Sequence, residues 1–131
     1  MKRIFLTLIL ALLLTACGVK ATETPVDELV ISEPGKTIEV AAGNEFKIVI
    51  DSNPSTGYHW ELVDDLDESV IQFVSKDYRA DEPVMPGSGG SDVLTFRAVA
   101  EGEASITLGY YPPSNDPVDP AQTVTFTIIV K

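Results

Sequence analysis

Apolar residues in this chain return at every second position in short runs, and the runs are separated by residues that favour turns. Phe46, Ile48 and Ile50 form one such set. Leu94, Phe96 and Ala98 form a second, and Val124, Phe126, Ile128 and Val130 a third. In an extended strand successive side chains leave on opposite faces, so a period of two puts each set on one side of a sheet. Beyond residue 17 there is no convincing helical pattern. No βαβ alternation appears, and no internal repeat suggests a solenoid. The pattern predicts an all-β chain of about eight strands, folded as an antiparallel β-sandwich of immunoglobulin-like shape.

The strands expected in order are Val26 to Ile31, Thr37 to Ala41, Glu45 to Asp51, Tyr58 to Val63, Val70 to Tyr78, Val93 to Ala100, Ala104 to Tyr110 and Thr123 to Val130. Between them lie Glu33-Pro34-Gly35, Ala42-Gly43-Asn44, the acidic run Asp64 to Glu68, and the polar stretch Arg79 to Pro86. A tight turn at Ala100 to Glu103 and a segment with prolines at 112, 113, 117 and 120 complete the set. Glycine and proline at these places are the strongest local punctuation a chain carries.

The first residues read differently. Lys2 and Arg3 precede an apolar run, Ile4 to Leu14. That run is short of the ~20 residues of a spanning helix and fits the core of an export signal. It ends in Leu14-Thr15-Ala16-Cys17, which resembles the bacterial lipobox. That resemblance implies cleavage before Cys17 and acylation of its thiol. Residues 1–16 are then a signal peptide, and residues 17–25 are a lipidated Cys17 and a small, polar tether. Residues 26–131 are the folded domain. Two or three acyl chains anchor stably where one is marginal. The expectation is an exported, lipid-anchored protein of the bacterial cell envelope, held to the membrane through Cys17.

Composition narrows the chemistry. The 131 residues are 44% hydrophobic and 22% charged, which suits one domain with a real core. The formal net charge is −11. Removing a leader that carries Lys2, Arg3 and no acid takes it to −13. Such a surface repels phosphates, so nucleic acid is not an expected partner. There is one cysteine and one histidine, Cys17 and His59. No internal disulfide, cysteine-based metal site or Cys–His nucleophile can be built from them. Asp64 to Glu68 lacks the central glycine and closing glutamate of a calcium loop. Gly87-Ser88-Gly89-Gly90 is followed by a strand and no Lys, so it is no phosphate loop. No cofactor, no metal and no catalytic residue is expected.

One stretch stands apart: Asn53-Pro54-Ser55-Thr56-Gly57-Tyr58-His59-Trp60. Pro54 fixes its own φ and pushes Asn53 away from the helical region. Gly57 has access to positive φ. The product is a short, stiff loop. Tyr58 and Trp60 lie two residues apart, share a face and are expected to be buried beneath it, with His59 on the opposite face. From spacing alone, a plain sandwich corner also accounts for this stretch.

These eight residues resemble the Asn-Pro-Thr-Thr-Gly-Tyr-x-Trp signature of the chagasin family, small all-β inhibitors of papain-like cysteine proteases. Ser55 stands for one Thr. The likeness extends over Pro34 to Lys131. It includes the glycine-rich Gly87-Ser88-Gly89-Gly90 and the strands around Leu94 to Ala98 and Ile106 to Tyr110. The resemblance implies that Asn53, Pro54, Ser55, Thr56, Gly57 and Tyr58 enter a protease cleft. Gly87, Ser88, Gly89 and Gly90 on one side, and Tyr110, Tyr111 and Pro113 on the other, would then flank them. After the Tyr and its spacer the family carries Arg-Pro-Trp or Arg-Pro-Phe. This chain has Pro112-Pro113-Ser114, so only Pro113 agrees. The implied function is a lipid-anchored, reversible inhibitor of papain-like cysteine proteases. The altered third loop points to an alternative, an envelope binding or assembly module that keeps the fold without the inhibition.

Overall fold

The structure is a computed structural model that describes residues 28–131. The expected signal peptide, the acylation site at Cys17 and the tether lie outside these residues. Eight strands follow in order: β1 Leu29–Ile31, β2 Thr37–Val40, β3 Glu45–Ser52, β4 His59–Leu62, β5 Ile71–Ala80, β6 Gly90–Ala98, β7 Gly102–Tyr111 and β8 Gln122–Val130. They form two four-stranded sheets, ordered β1-β3-β6-β5 and β2-β8-β7-β4. This is the expected all-β sandwich.

The central pairings β3–β6, β5–β6, β7–β8 and β4–β7 are antiparallel. The first two strands pair differently: β1 runs parallel to β3, and β2 runs parallel to β8. Between them lies the turn at Glu33 to Lys36, where Gly35 sits at φ 83°. It carries the chain from β1 at an outer edge of one sheet to β2 at an outer edge of the other. Hydrophobic periodicity shows which face of a strand is buried, but it does not show the direction of its neighbour.

The core sits between the sheets. Phe46, Ile48, Ile71, Phe96, Ala98, Ile106, Leu108 and Ile128 are fully buried there. Phe46 and Phe96, cross-strand partners in β3 and β6, stack with ring centroids 5.6 Å apart. Such a pair contributes about 0.5–1.5 kcal/mol beyond its area burial.

Several strand boundaries differ from expectation, and the ones that bear on the site lie where β5 meets β6. Arg79 and Ala80 belong to β5, and Gly90 opens β6, with Arg79 paired to Ser91 and Ala80 to Gly90. The ladder uses backbone groups, so it continues past the polar side chains that had suggested a loop. Within β5 a bulge between Phe73 and Ser75 shifts the register. It returns Lys76 to the core side, opposite Leu94.

Candidate functional site

The stretch from Asn53 to Tyr58 joins β3 to β4 at one end of the sandwich. Its middle, Pro54–Thr56, is a single 3₁₀ turn. Asn53 caps it. The Asn53 Oδ1 accepts from the Ser55 backbone N–H at 3.2 Å and from the Ser55 hydroxyl at 2.5 Å. The Thr56 hydroxyl donates to the Asn53 carbonyl at 2.7 Å and accepts from the Tyr58 N–H at 3.3 Å. Gly57 takes φ 80°, and its N–H donates to the Pro54 carbonyl at 3.0 Å. The expected stiffness therefore has a concrete origin. The turn satisfies much of its own hydrogen bonding, and Pro54, Ser55, Thr56 and Gly57 all remain exposed.

Below the turn lies an aromatic platform. Trp60 is 3% exposed, and its indole N–H donates to the Asp51 carbonyl at 2.9 Å. Tyr110 of β7 lies against both Trp60 and Tyr58, with ring centroids at 4.8 and 5.1 Å. Tyr58 is only half-buried, contrary to expectation, because it caps the stack and has no strand above it. His59 turns to the other face as expected, where its Nε2 lies 2.9 Å from the Glu61 carboxylate and its ring 6.2 Å from that of Tyr111.

The other two segments are adjacent to this turn. Asn53 Nδ2 approaches the Gly87 carbonyl at 3.5 Å. Met85 to Ser88 form a tight turn with Gly87 at φ 80°. The Ser88 N–H and hydroxyl both donate to the Met85 carbonyl, at 3.0 and 2.7 Å. Gly89 continues the connection, its carbonyl accepting from the Asp81 N–H at 3.0 Å. Gly90 is different. It is buried at the start of β6, and a Cβ there would lie 2.3 Å from the Arg79 carbonyl. Its missing side chain serves strand packing, so it is not presented by the loop.

On the other side, Pro113 abuts Gly57. A Cβ on Gly57 would sit 3.0 Å from Pro113 Cβ and Cγ. Tyr110 and Tyr111 end β7 and are half-buried. Tyr110 works as support beneath the central turn. The fold thus brings together every segment expected from the sequence, while dividing their residues between presented turns and buried supports.

Two features had no sequence signal strong enough to find them. Val84 and Met85, at the tip of the β5–β6 connection, are 67% and 61% exposed. The second is an ion pair. Lys76 Nζ lies 3.2 Å from the Asp92 carboxylate and donates to the Trp60 carbonyl at 2.8 Å. Among the described residues no group of His, Cys, Asp or Glu is arranged to hold a metal ion.

The fold is an immunoglobulin-like sandwich that presents three adjacent segments at one end. The comparisons identify its family. The model of the chagasin family of peptidase inhibitors, I42, matches residues 39–129. The chain therefore belongs to the chagasin family of peptidase inhibitors, and it is not an enzyme. It is 28% identical to chagasin of Trypanosoma cruzi over 101 residues, which is 74% of this chain and 89% of that protein. The fold is shared with a cysteine protease inhibitor of Entamoeba histolytica at TM-score 0.67 and 21% identity, covering 79% of this chain and 95% of the other. It is also shared with PbICP-C, solved in complex with falcipain-2, at TM-score 0.53 and 16% identity, covering 79% and 91%.

Proposed function

We propose that this protein is a reversible inhibitor of papain-like cysteine proteases, anchored by lipid at Cys17, that fills the active-site cleft with the turn Asn53 to Tyr58. The observation that carries this reading is the internal bonding of the turn. Asn53, Ser55, Thr56 and Tyr58 bond one another, so an exposed, narrow projection is ordered before any partner arrives. Preorganisation of this kind raises affinity by removing ordering costs from binding. Thr56 and Gly57 would lie deepest over the catalytic cysteine. Gly87 to Gly89 on one side and Tyr111 with Pro113 on the other would meet the cleft walls. No covalent step is required of the inhibitor.

The test is an inhibition assay against a panel of papain-like enzymes, with Thr56→Arg and Thr56→Ser as the key variants. Arginine at this position brings bulk and charge into a desolvated cleft and loses the Thr56 hydrogen bonds. The expected rise in inhibition constant is at least ~100-fold, about 2.7 kcal/mol. Serine keeps the hydroxyl and should stay near wild type. An unaffected Thr56→Arg variant would count against the turn, and a wild type inactive at micromolar concentration against the inhibitor. The second reading, an envelope binding or assembly module, then takes its place. One observation favours it: Pro112 and Ser114 stand where the resemblance implies an Arg and an aromatic, residue types enriched among binding hot spots.

A further inference from the structure

Lys76 and Asp92 form an ion pair between the sheets at the open side of the sandwich, where the edge strands β4 and β5 lie. Asp92 is 5% exposed, and its side chain is reached by the Lys76 ammonium at 3.2 Å. Lys76 itself keeps a third of its side chain exposed, and an ion pair with one buried partner is weak evidence for stability, since apolar replacements are often as stable. Its geometry suggests a different use.

The same ammonium donates to the Trp60 carbonyl at 2.8 Å. That carbonyl points away from β7. Bonded pairs alternate along an antiparallel ladder, and the Val63 N–H donates to the Thr107 carbonyl. Trp60, three residues earlier, therefore falls at a non-bonded position and presents its carbonyl to the open edge. The Trp60 indole in turn donates to the Asp51 carbonyl. Asp51 lies two residues before Asn53, and Trp60 lies two residues after Tyr58. The series Asp92, Lys76, Trp60, Asp51 thus ties both feet of the exposed turn to the central strand β6. The bulge in β5 is what makes this possible, because it turns Lys76 towards the core.

We infer that Lys76 and Asp92 are positioning residues for the turn Asn53 to Tyr58, bracing it across the two sheets so that it is held rigid before binding. The consequence for inhibition rests on the inhibitor reading above; the bracing itself does not.

The test uses the full chain and two readouts. Lys76→Met alone leaves Asp92 buried and unpaired, so the informative variant is Lys76→Met with Asp92→Leu. It removes both charges and the bond to Trp60 while keeping apolar volume. Asp92→Asn, which keeps Lys76 and loosens its anchor, is the milder companion. Arg97→Met, which breaks the Glu45–Arg97 pair at the opposite end of β3, is the control. Amide hydrogen exchange is measured across the protein, and the inhibition constant against a papain-like protease is measured in parallel. The expected result is exchange at least ~10-fold faster in the peptide spanning Asn53 to Trp60, with the peptides around Phe46 and Phe96 unchanged. The inhibition constant should rise about 10-fold. Asp92→Asn should show a smaller change of the same kind, and Arg97→Met none. Unchanged exchange in the turn overturns the proposal, as does a uniform rise across the core, which marks a purely structural pair. If exchange rises in the turn but the wild type inhibits no papain-like protease, the bracing stands and the inhibitor reading falls.

Discussion

Trp60 contributes through three groups. Its ring fills the core beneath the turn, its N–H holds the Asp51 carbonyl, and its own carbonyl receives Lys76. Trp60→Ala should lower stability by about 3–5 kcal/mol, read from denaturant unfolding. In the native protein its fluorescence should resist iodide quenching, and ready quenching would contradict its burial. Gly57 is constrained twice, by φ 80° and by Pro113 at 3.0 Å from any added Cβ. Left-handed backbone costs a non-glycine residue about 1–2 kcal/mol. Gly57→Ala should therefore weaken inhibition by ~10-fold or more while the thermal midpoint moves little, since strain confined to an exposed turn relaxes there. Of these constraints the positive φ is legible in the sequence, because a glycine closing a Pro-led turn has few alternatives. The contact with Pro113 is not, because 56 positions separate the two residues and only the fold makes them neighbours.

At the scale of elements, the three segments owe their adjacency to sheet order. The central turn leaves β3 and enters β4. The Gly87 segment precedes β6, the neighbour of β3, and the Pro113 segment follows β7, the neighbour of β4. The third segment is where this chain departs from its family resemblance, and it is also where gain of function can be sought. Replacing Pro112→Arg together with Ser114→Trp should tighten inhibition by ~10-fold, about 1.4 kcal/mol. A weaker inhibitor from that double variant would mean that the altered segment follows a different course from its relatives. The edge strand β5 carries two devices that discourage unwanted strand pairing, the bulge at Val74 and the inward Lys76. Neither shows in the sequence, where Val70 to Tyr78 reads as an ordinary strand. A bulge is a choice of backbone pairing, and it is made against the partner strand.

In the whole molecule, the described chain starts at the end opposite the turns. Leu29 pairs with Phe46 near the start of β3, and the central turn follows Ser52 at its end. On the proposal that Cys17 is lipidated, a tether entering at Leu29 would direct the turns away from the membrane. Cys17→Ser should move the protein from the membrane to the soluble fraction and leave its inhibition constant unchanged. Membrane retention in that variant would remove the anchor from the account. The formal charge of −11 in the full sequence should also speed association with a basic protease, an effect that added salt suppresses. A salt-independent association rate would exclude such steering.

The sequence by itself determined the strands and the shape of the central turn. Period-two burial and the stereochemistry of Asn53, Pro54 and Gly57 act within a few residues, so they can be read locally. It also determined the class of chain, through a signature of eight consecutive residues that covers one turn and the start of β4. Tertiary structure decided the rest. It set the parallel pairing of β1 and β2, the burial of Gly90 under the Arg79 carbonyl, and the half-exposure of Tyr58. It brought Lys76 to Trp60 and Pro113 to Gly57. Each of these depends on which backbone lies alongside, and that is settled by the joint packing of two sheets around Phe46 and Phe96, with no single segment able to specify it.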